Sequence, residues 1–457
     1  MRLLPRTPRG TWTLAALFWA AGSAALWLLV PVRPRAEWAV RGQQEWVGYL
    51  PDRRAFVSHT SEVGNRFGGP LRFWGADTGR VVEWFDPGQE ILRVVVSPNG
   101  KWIAVYRGRP VDSFQLFETA TGRVRFDLQY GAGVYGAGPC FSPDGRWLAC
   151  SDRTEEDTVH IWDVEAGQVR RTLRAADGLP TFAASGRLAF GPDGRTLALA
   201  DDVRDVTQEP AEPARVQLWD WDASRVTQTL VGPASTTFWN GLRLHFSPDG
   251  RHLTADFHIE EPAGDAYRPE VRCWDVADGR ETLRITAQLA TVTPGRLWVY
   301  NRNGISEQQW VEAWAYSGRR ELNVTADGGV TDGKSLVFES PVQHPVRDWL
   351  IARGVRWPLA IDESVQLEIF DAATRQFIAR LSPRDPAGSQ LEYATTFSPD
   401  GRLFAEATLT GVRIWDIPPR KPLAWCATGS ALLALLLAGL ARLRLRKLRQ
   451  LSEIQHP

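Results

Sequence analysis

The word Phe-Ser-Pro-Asp-Gly-Arg occurs at Phe141–Arg146, again at Phe246–Arg251 and again at Phe397–Arg402. A near copy starts at Phe190, and a looser one, Val-Ser-Pro-Asn-Gly-Lys, starts at Val96. Recurrence of this kind demands a repeating structural unit. The residues say what part of the unit the word is. Proline presets φ at about −65° for the first turn position, aspartate suits the next, and glycine takes the left-handed conformation that other residues avoid. Apolar, β-prone stretches flank the word, as in Ile91–Val96 before one copy and Trp147–Cys150 after another. The word is therefore a β-hairpin turn. A catalytic group would not need several copies, so its Ser, Asp and Arg are read as geometry.

Each copy is followed by a second signal. Trp162-Asp163, Trp219-Asp220, Trp274-Asp275 and Trp415-Asp416 each end a short alternating segment, and Phe117-Glu118 stands in the same place after Val96. A Gly-Arg or similar turn then opens a fourth segment, such as Arg80–Phe85. Three degenerate units begin at Tyr49, Val292 and His344. The turn prolines Pro51, Pro98, Pro143, Pro192, Pro248, Pro294, Pro345 and Pro399 are 45 to 56 residues apart. Four strands per unit at this spacing describe one blade of a β-propeller. The unusual 21 Trp against one Met fit a unit that uses Trp once or twice.

The Phe-Ser-Pro-Asp-Gly, Val-x-Ile-Trp-Asp and x-x-Gly-Arg elements resemble the WD-repeat family over residues 36–420. The resemblance implies an all-β chain with a single β-propeller, and the spacings fit eight blades better than seven. It says little about function, because this fold serves many roles. The family's Gly-His dipeptide is absent, which leaves the hydrogen-bond network anchored by that His without its usual member. The last Trp-Asp segment runs almost directly into a new segment at 423, so the last blade lacks a fourth strand. Ala36–Arg41 alternates and precedes the first blade, and it is expected to supply that strand, as in ring closure of WD-repeat propellers. Cysteines at 38 and 414 should then crosslink.

Two uncharged apolar runs flank the repeats: 11–32, of 22 residues, and 423–441, of 19. A helix crossing a bilayer core needs about 20 apolar residues. Both are expected to be transmembrane helices, the first an uncleaved anchor rather than a signal peptide. A basic N-terminal tail, 1–10, and a basic C-terminal tail, 442–457, complete the chain. Arg442, Arg444, Arg446, Lys447 and Arg449 belong on the cytoplasmic side. Both termini are then cytoplasmic and the propeller extracytoplasmic. Closure would attach both runs to one blade, on the disk face that bears the first-to-second and third-to-fourth strand turns. The opposite face would point away from the membrane.

Residues 1–35 carry five Arg and no acid, and 421–457 carry six Lys or Arg and one Glu, so the neutral chain holds a middle at −10. An acidic middle argues against nucleic acid as a partner. Acids gather in three successive second-to-third strand loops. The first has Asp152, Glu155, Glu156 and Asp157. The second has Asp201, Asp202, Asp205, Glu209 and Glu212, and the third has Asp256, Glu260, Glu261, Asp265 and Glu270. Together they are candidate binding residues for a basic protein or peptide, steered by charge. No strict calcium loop accompanies them. His245, His252 and His258 share a blade without an acid partner fixed by spacing, which is a poor metal motif. The Cys spacing fits no zinc motif, and Cys140 and Cys150 read as small buried side chains. No nucleophile elbow or phosphate-binding Gly-rich loop is present. Gly75–Trp84 partly resembles a quinoprotein blade motif, but a third-to-fourth strand turn explains it equally. No cofactor is expected. The chain reads as a non-catalytic scaffold, with a ligand-binding sensor as the alternative.

Overall fold

The computed structural model describes residues 33–419 except 41–42, 62–70, 86–90, 108–112, 130–138, 153–157, 180–187, 201–212, 235–242, 261–266, 294, 303–308, 326–328, 332–333, 342–364, 375, 382–394 and 409–410. Outside that range it describes 16–17, 19–23, 428, 431, 434–436, 438–440 and 442–443. The described strands form eight four-stranded antiparallel sheets. Seven are built from consecutive strands in chain order. Sheet one, for instance, holds Gln43–Leu50, Ala55–Ser61, Leu71–Gly75 and Val81–Phe85. Sheet three holds Cys140–Phe141, Trp147–Asp152, Thr158–Asp163 and Gln168–Leu173. Sheet four holds Leu188–Phe190, Thr196–Ala200, Pro213–Asp220 and Arg225–Ala234. Sheet five holds Arg243–Phe246, His252–Glu260, Tyr267–Asp275 and Glu281–Ile285.

The repeated word sits between first and second strands, as its chemistry requires. In sheet three the Ser142 N–H donates to Trp147 O at 2.8 Å, and Gly145 N–H donates to Ser142 O at 2.8 Å. Gly145 has φ of 70°, which an L side chain adopts only at a cost. The turn acids are consumed locally. Ser247 donates to Asp249 Oδ1 at 2.6 Å and Ser398 to Asp400 Oδ1 at 2.6 Å. These hydroxyl bonds, with a backbone N–H from Arg251 or Arg402, hold both carboxyls below the usual carboxylate range.

Each sheet packs its face on the next. Leu50, Val57 and Phe73 of sheet one meet Ile103, Val105 and Phe117 of the second. Val159 and Ile161 of sheet three meet Leu197 and Trp219 of sheet four, and Val216 and Leu218 of sheet four meet Leu253 and Phe257 of sheet five. Leu367 and Ile369 of the seventh meet Phe404 and Trp415 of the eighth. Ala405 and Val412 of the eighth meet Phe56 and Trp74 of the first, which closes a ring. Trp74, Trp219, Trp274 and Trp415, the tryptophans of the repeat, are among the largest fully buried side chains. Truncating such a residue to Ala typically costs about 3–5 kcal/mol.

The eighth sheet has the order Ala36–Ala39, Gly411–Asp416, Leu403–Thr408, Thr395–Phe397. The strand at the start of the chain thus completes the last sheet. The register differs from the expected one: Ala36 faces Ile414 and Trp38 faces Val412, so a 38/414 pair lies two residues out. Arg35 N–H donates to Ile414 O at 2.7 Å, which carries the pairing one residue further. A Cβ at Gly411 would lie 2.2 Å from Trp38 O, so the close approach of the closing strand excludes a side chain there.

One unit departs from the turn-proline reading. In sheet seven, strands Gly329–Thr331 and Ser335–Pro341 pair directly, with Thr331 opposite Leu336. Only residues 332–334, Asp-Gly-Lys in the sequence, connect them, so the first hairpin does not fall at Pro345. Asp-Gly suits a short hairpin without help from proline. Pro345 itself lies outside the described residues. In the apolar runs 11–32 and 423–441 every described residue is helical. Among the described residues no helix is long and apolar enough to cross a membrane.

Cysteines placed at 36 and 414 will form an intramolecular disulfide under mild oxidation, whereas the 38/414 pair will not. Mobility on non-reducing gels, with peptide mapping of the crosslink, checks both.

Candidate interaction surface

Closure fixes which ends of the strands share a face. Ala36, at the start of the closing strand, lies opposite Ile414, near the end of its partner. The chain therefore enters and leaves the ring on one face, the face of the first-to-second and third-to-fourth strand turns. Arg35 seals this point. Its Nη1 donates to Asp416 Oδ1 at 2.6 Å and its Nε to Ala76 O at 2.9 Å, while its other amino group meets Asp77. Arg54 joins from the neighbouring turn, with Nε 3.0 Å from Asp77 Oδ2. One guanidinium thus ties the eighth sheet to the first. Sequence reading missed Arg35, because its partners lie about forty and nearly four hundred positions away.

The same face carries a cavity of about 560 Å³ between sheets three and four, lined by Arg146, Trp147, Asp163, Arg170, Asp193, Gly194, Arg195, Trp221 and Asp222. Trp221 plugs its floor. Trp221 is buried, donates from Nε1 to Gly194 O at 3.0 Å, and meets Trp147 edge-on at 5.0 Å between ring centroids. The Arg146 guanidinium lies 4.5 Å from the Trp147 ring centroid. Arg195 pairs with Asp220 at 2.9 Å, whereas Arg146–Asp163 and Arg170–Asp222 are looser, at 3.4 and 3.7 Å. A faint signal was legible. Trp221 follows the Trp-Asp pair where the other strong units have Val164, Val276 and Ile417.

Function was expected on the opposite face, among the acidic loops. Ten of those acids, Glu155, Glu156, Asp157, Asp201, Asp202, Asp205, Glu209, Glu212, Glu261 and Asp265, lie outside the described residues. Asp152 and Glu260 end second strands. Asp256 and Glu270 are not loop residues. Both lie within strands of sheet five, 1% and 5% exposed. Glu270 accepts from Arg272 Nε at 2.7 Å and Arg268 Nη1 at 3.1 Å, and Arg272 in turn reaches Glu281. The hairpin in sheet five continues further than the turn-based reading allowed, with pairing from His252–Asp275 to Glu260–Tyr267, and draws these acids inward.

Despite the missing Gly-His, four of the tryptophans have other acceptors. Trp74 Nε1 donates to Ser58 Oγ at 2.8 Å, and Ser58 to Gln44 Oε1 at 2.9 Å. Trp219 uses Gln217 at 3.0 Å, Trp314 uses Glu312 at 2.8 Å, and Trp415 uses Glu406 at 3.2 Å. Trp162 Nε1 is buried without an acceptor. The Gly75–Trp84 segment is a turn, with Gly79 N–H donating to Gly75 O at 3.0 Å. Cys140, Cys150 and Cys273 are free thiols. Cys140 faces Ala149 rather than Cys150.

Sheet five also holds the three histidines considered as metal ligands. Register puts Arg243 opposite Asp256 and His245 opposite Thr254, so with His252 and His258 they share one face. His252 stacks flat on Tyr316 of the next sheet, with centroids 4.5 Å apart and planes 7° off parallel. Half-buried His245 is pushed down to about 4 by desolvation and by the Arg243 charge, and His258 is lowered by the same causes. Among the described residues no cluster of His, Cys, Asp and Glu is placed to hold a metal ion.

Residues 131–163 match the family model described as WD domain, G-beta repeat. The matched span ends on the Trp162-Asp163 pair of sheet three. A chain of the eukaryotic initiation factor crystal structure superposes at TM-score 0.52 and 11% identity, covering 84% of this chain and 88% of its own. The fold is a β-propeller, and one of its sheets carries the match to the WD repeat. A chain of the mitotic checkpoint complex matches at TM-score 0.47 and 13% identity, covering 85% of this chain and 94% of its own length. A chain of Kuenenia stuttgartiensis hydrazine synthase matches at 0.45 and 13%, covering 85% and 97%. No curated protein matches the chain.

Replacing Arg35 by Gln will lower propeller stability by about 2 kcal/mol, because it removes charge-assisted bonds across the closure. Denaturant unfolding measures the loss, and hydrogen exchange will show residues 36–39 opening first. A pH effect follows from sheet five. His245 binds a proton less readily folded, at about 4, than unfolded, at its ordinary 6.5. Its contribution is therefore fully present above pH 6.5 and lost as pH falls toward 4. Near pH 5 stability should fall by about 1 kcal/mol per pH unit. His245→Gln should flatten that slope in chemical unfolding at stepped pH.

Proposed function

We propose that the chain is a membrane-anchored, non-catalytic propeller of eight blades that serves as a protein-interaction scaffold. The observation that carries this reading is the pairing of Ala36–Ala39 with Gly411–Asp416, which brings the chain before Ala36 and after Asp416 to one edge of one face. Two anchors entering there hold the disk against the bilayer with the other face free. Exposed apolar side chains on helical residues of those runs, Leu17, Trp19, Leu435, Leu436 and Leu440, support a lipid environment. The Arg cluster after 441 favours cytoplasmic termini and an extracytoplasmic propeller.

The scaffold reading rests on the WD-repeat fold and on what the sequence lacks in catalytic motifs. On the free face, the acids of the 152–157, 201–212 and 260–265 loops form the docking surface for a basic protein or peptide. Asp256 and Glu270 are left out of it because the sheet uses them. No cofactor has a role in this reading.

The chain should stay in the membrane pellet through alkaline carbonate washing, and full release would end the anchoring reading. Partners recovered with it from detergent-solubilised membranes, identified by mass spectrometry, should be enriched in basic segments. Changing Glu155, Glu156, Asp157, Asp201, Asp202 and Asp205 to amides should cut their recovery about tenfold, more at low salt than at high salt. Unchanged recovery would remove the acidic loops from the interface.

A further inference from the structure

The turn face between sheets three and four carries chemistry that a scaffold does not need. Arg146, Arg170 and Arg195 are 59%, 58% and 67% exposed at the rim of one cavity. The carboxylates beside them are largely spent. Asp193 accepts from Thr196 N–H, Thr196 Oγ1, and Arg195 N–H at 2.9, 2.7 and 3.0 Å. Asp220 takes Arg195 and the Ala223 N–H, and Asp222 is shared between Arg170 and Arg171. Arg146 and Arg170 hold their acids at 3.4 and 3.7 Å, beyond the length of a good charge-assisted bond. These two guanidiniums retain donors for an incoming anion. Half-buried Trp147, under Arg146, adds an indole of the kind that settles at headgroup level.

Position in the ring completes the case. The apolar runs join the ring at sheet eight. Sheets three and four lie on the far side, and their turns point the same way as the anchors. A disk tethered at one edge is free to tilt. A headgroup contact at the opposite edge would hold it flat. We infer that the cavity lined by Arg146, Trp147, Arg170 and Arg195 binds the phosphate of an anionic lipid headgroup. The inference rests on the anchoring proposed above, and it holds for either side of the membrane, because closure sends both runs out of the turn face.

The test uses the full chain in neutral detergent, titrated with short-chain phosphatidylglycerol and separately with phosphatidylcholine, with bound lipid counted by native mass spectrometry. Phosphatidylglycerol should be retained in preference. Arg146→Gln combined with Arg195→Gln should weaken that retention about tenfold, as expected for lost charge-assisted bonds. Arg251→Gln, in the corresponding turn of sheet five, should leave it unchanged. If the double variant unfolds early because Asp220 loses its partner, Arg146→Gln with Arg170→Gln replaces it. Equal loss in Arg251→Gln, or no loss in either double variant, would overturn the site in favour of diffuse attraction. Competition by millimolar inorganic phosphate as strong as by lipid would overturn the lipid as occupant. Release from membranes by carbonate is a separate failure, which sinks the anchoring reading and leaves the cavity's preference for phosphatidylglycerol to be read on its own.

Discussion

Four backbone pairs between Ala36–Ala39 and Gly411–Asp416 make a ring of what would otherwise be a row of sheets. Each sheet of such a row covers its neighbour, but the two end sheets would expose apolar faces and unpaired strand edges. Closure covers the apolar faces by seating the eighth sheet on the first, and one short strand gives that sheet its fourth member. The strand is marginal by itself, and its setting compensates. Trp38 packs edge-on against Trp74 of the first sheet, with centroids 5.2 Å apart, Glu37 pairs with Arg413 at 2.8 Å, and Arg35 bridges Asp416 to Asp77. Gly411 is the complement to this economy, since the closing backbone comes too near for any side chain.

The repeat conserves geometry while its chemistry drifts from sheet to sheet. Every strong unit keeps a serine- or glycine-headed turn and a glycine at positive φ, including Gly100, Gly145, Gly194, Gly250 and Gly401. The first unit shows what happens without that glycine: Arg54 takes the left-handed conformation at φ 47° instead. The tryptophan indole, by contrast, takes its acceptor from different residue types in four of the sheets, a serine, a glutamine or a glutamate. A buried indole N–H needs some acceptor, not a particular one. This is why loss of the Gly-His dipeptide leaves the fold intact.

Turns and alternation made the architecture legible, because each turn is decided by residues adjacent in the chain. Even the closing strand could be anticipated from the strand missing after Ile417. What escaped depends on contacts between units. The two-residue error at Trp38 arose because alternation gives a strand's faces but not its register. Pro345 misled because a proline was treated as the marker of a turn that Asp-Gly makes equally well. Asp256 and Glu270 were read as loop acids because composition does not reveal how far a hairpin stays paired. Arg35 and the cavity at Trp221 are assembled across sheet boundaries, where local pattern has no access.

The same turns that build the ring also partition its charge. In the words that carry both, the aspartate is folded back onto its own serine hydroxyl and a backbone N–H, while the basic residue that follows extends outward. Lys101, Arg146, Arg195, Arg251 and Arg402 thereby present exposed cations on one face, although four of the five have an aspartate two residues before them. A geometrical repeat thus leaves a basic side chain exposed at the same place in each of these turns. Ring closure brings the chain before Ala36 and after Asp416 to this turn face, and in the anchored scaffold proposed above that leaves the opposite face to partners.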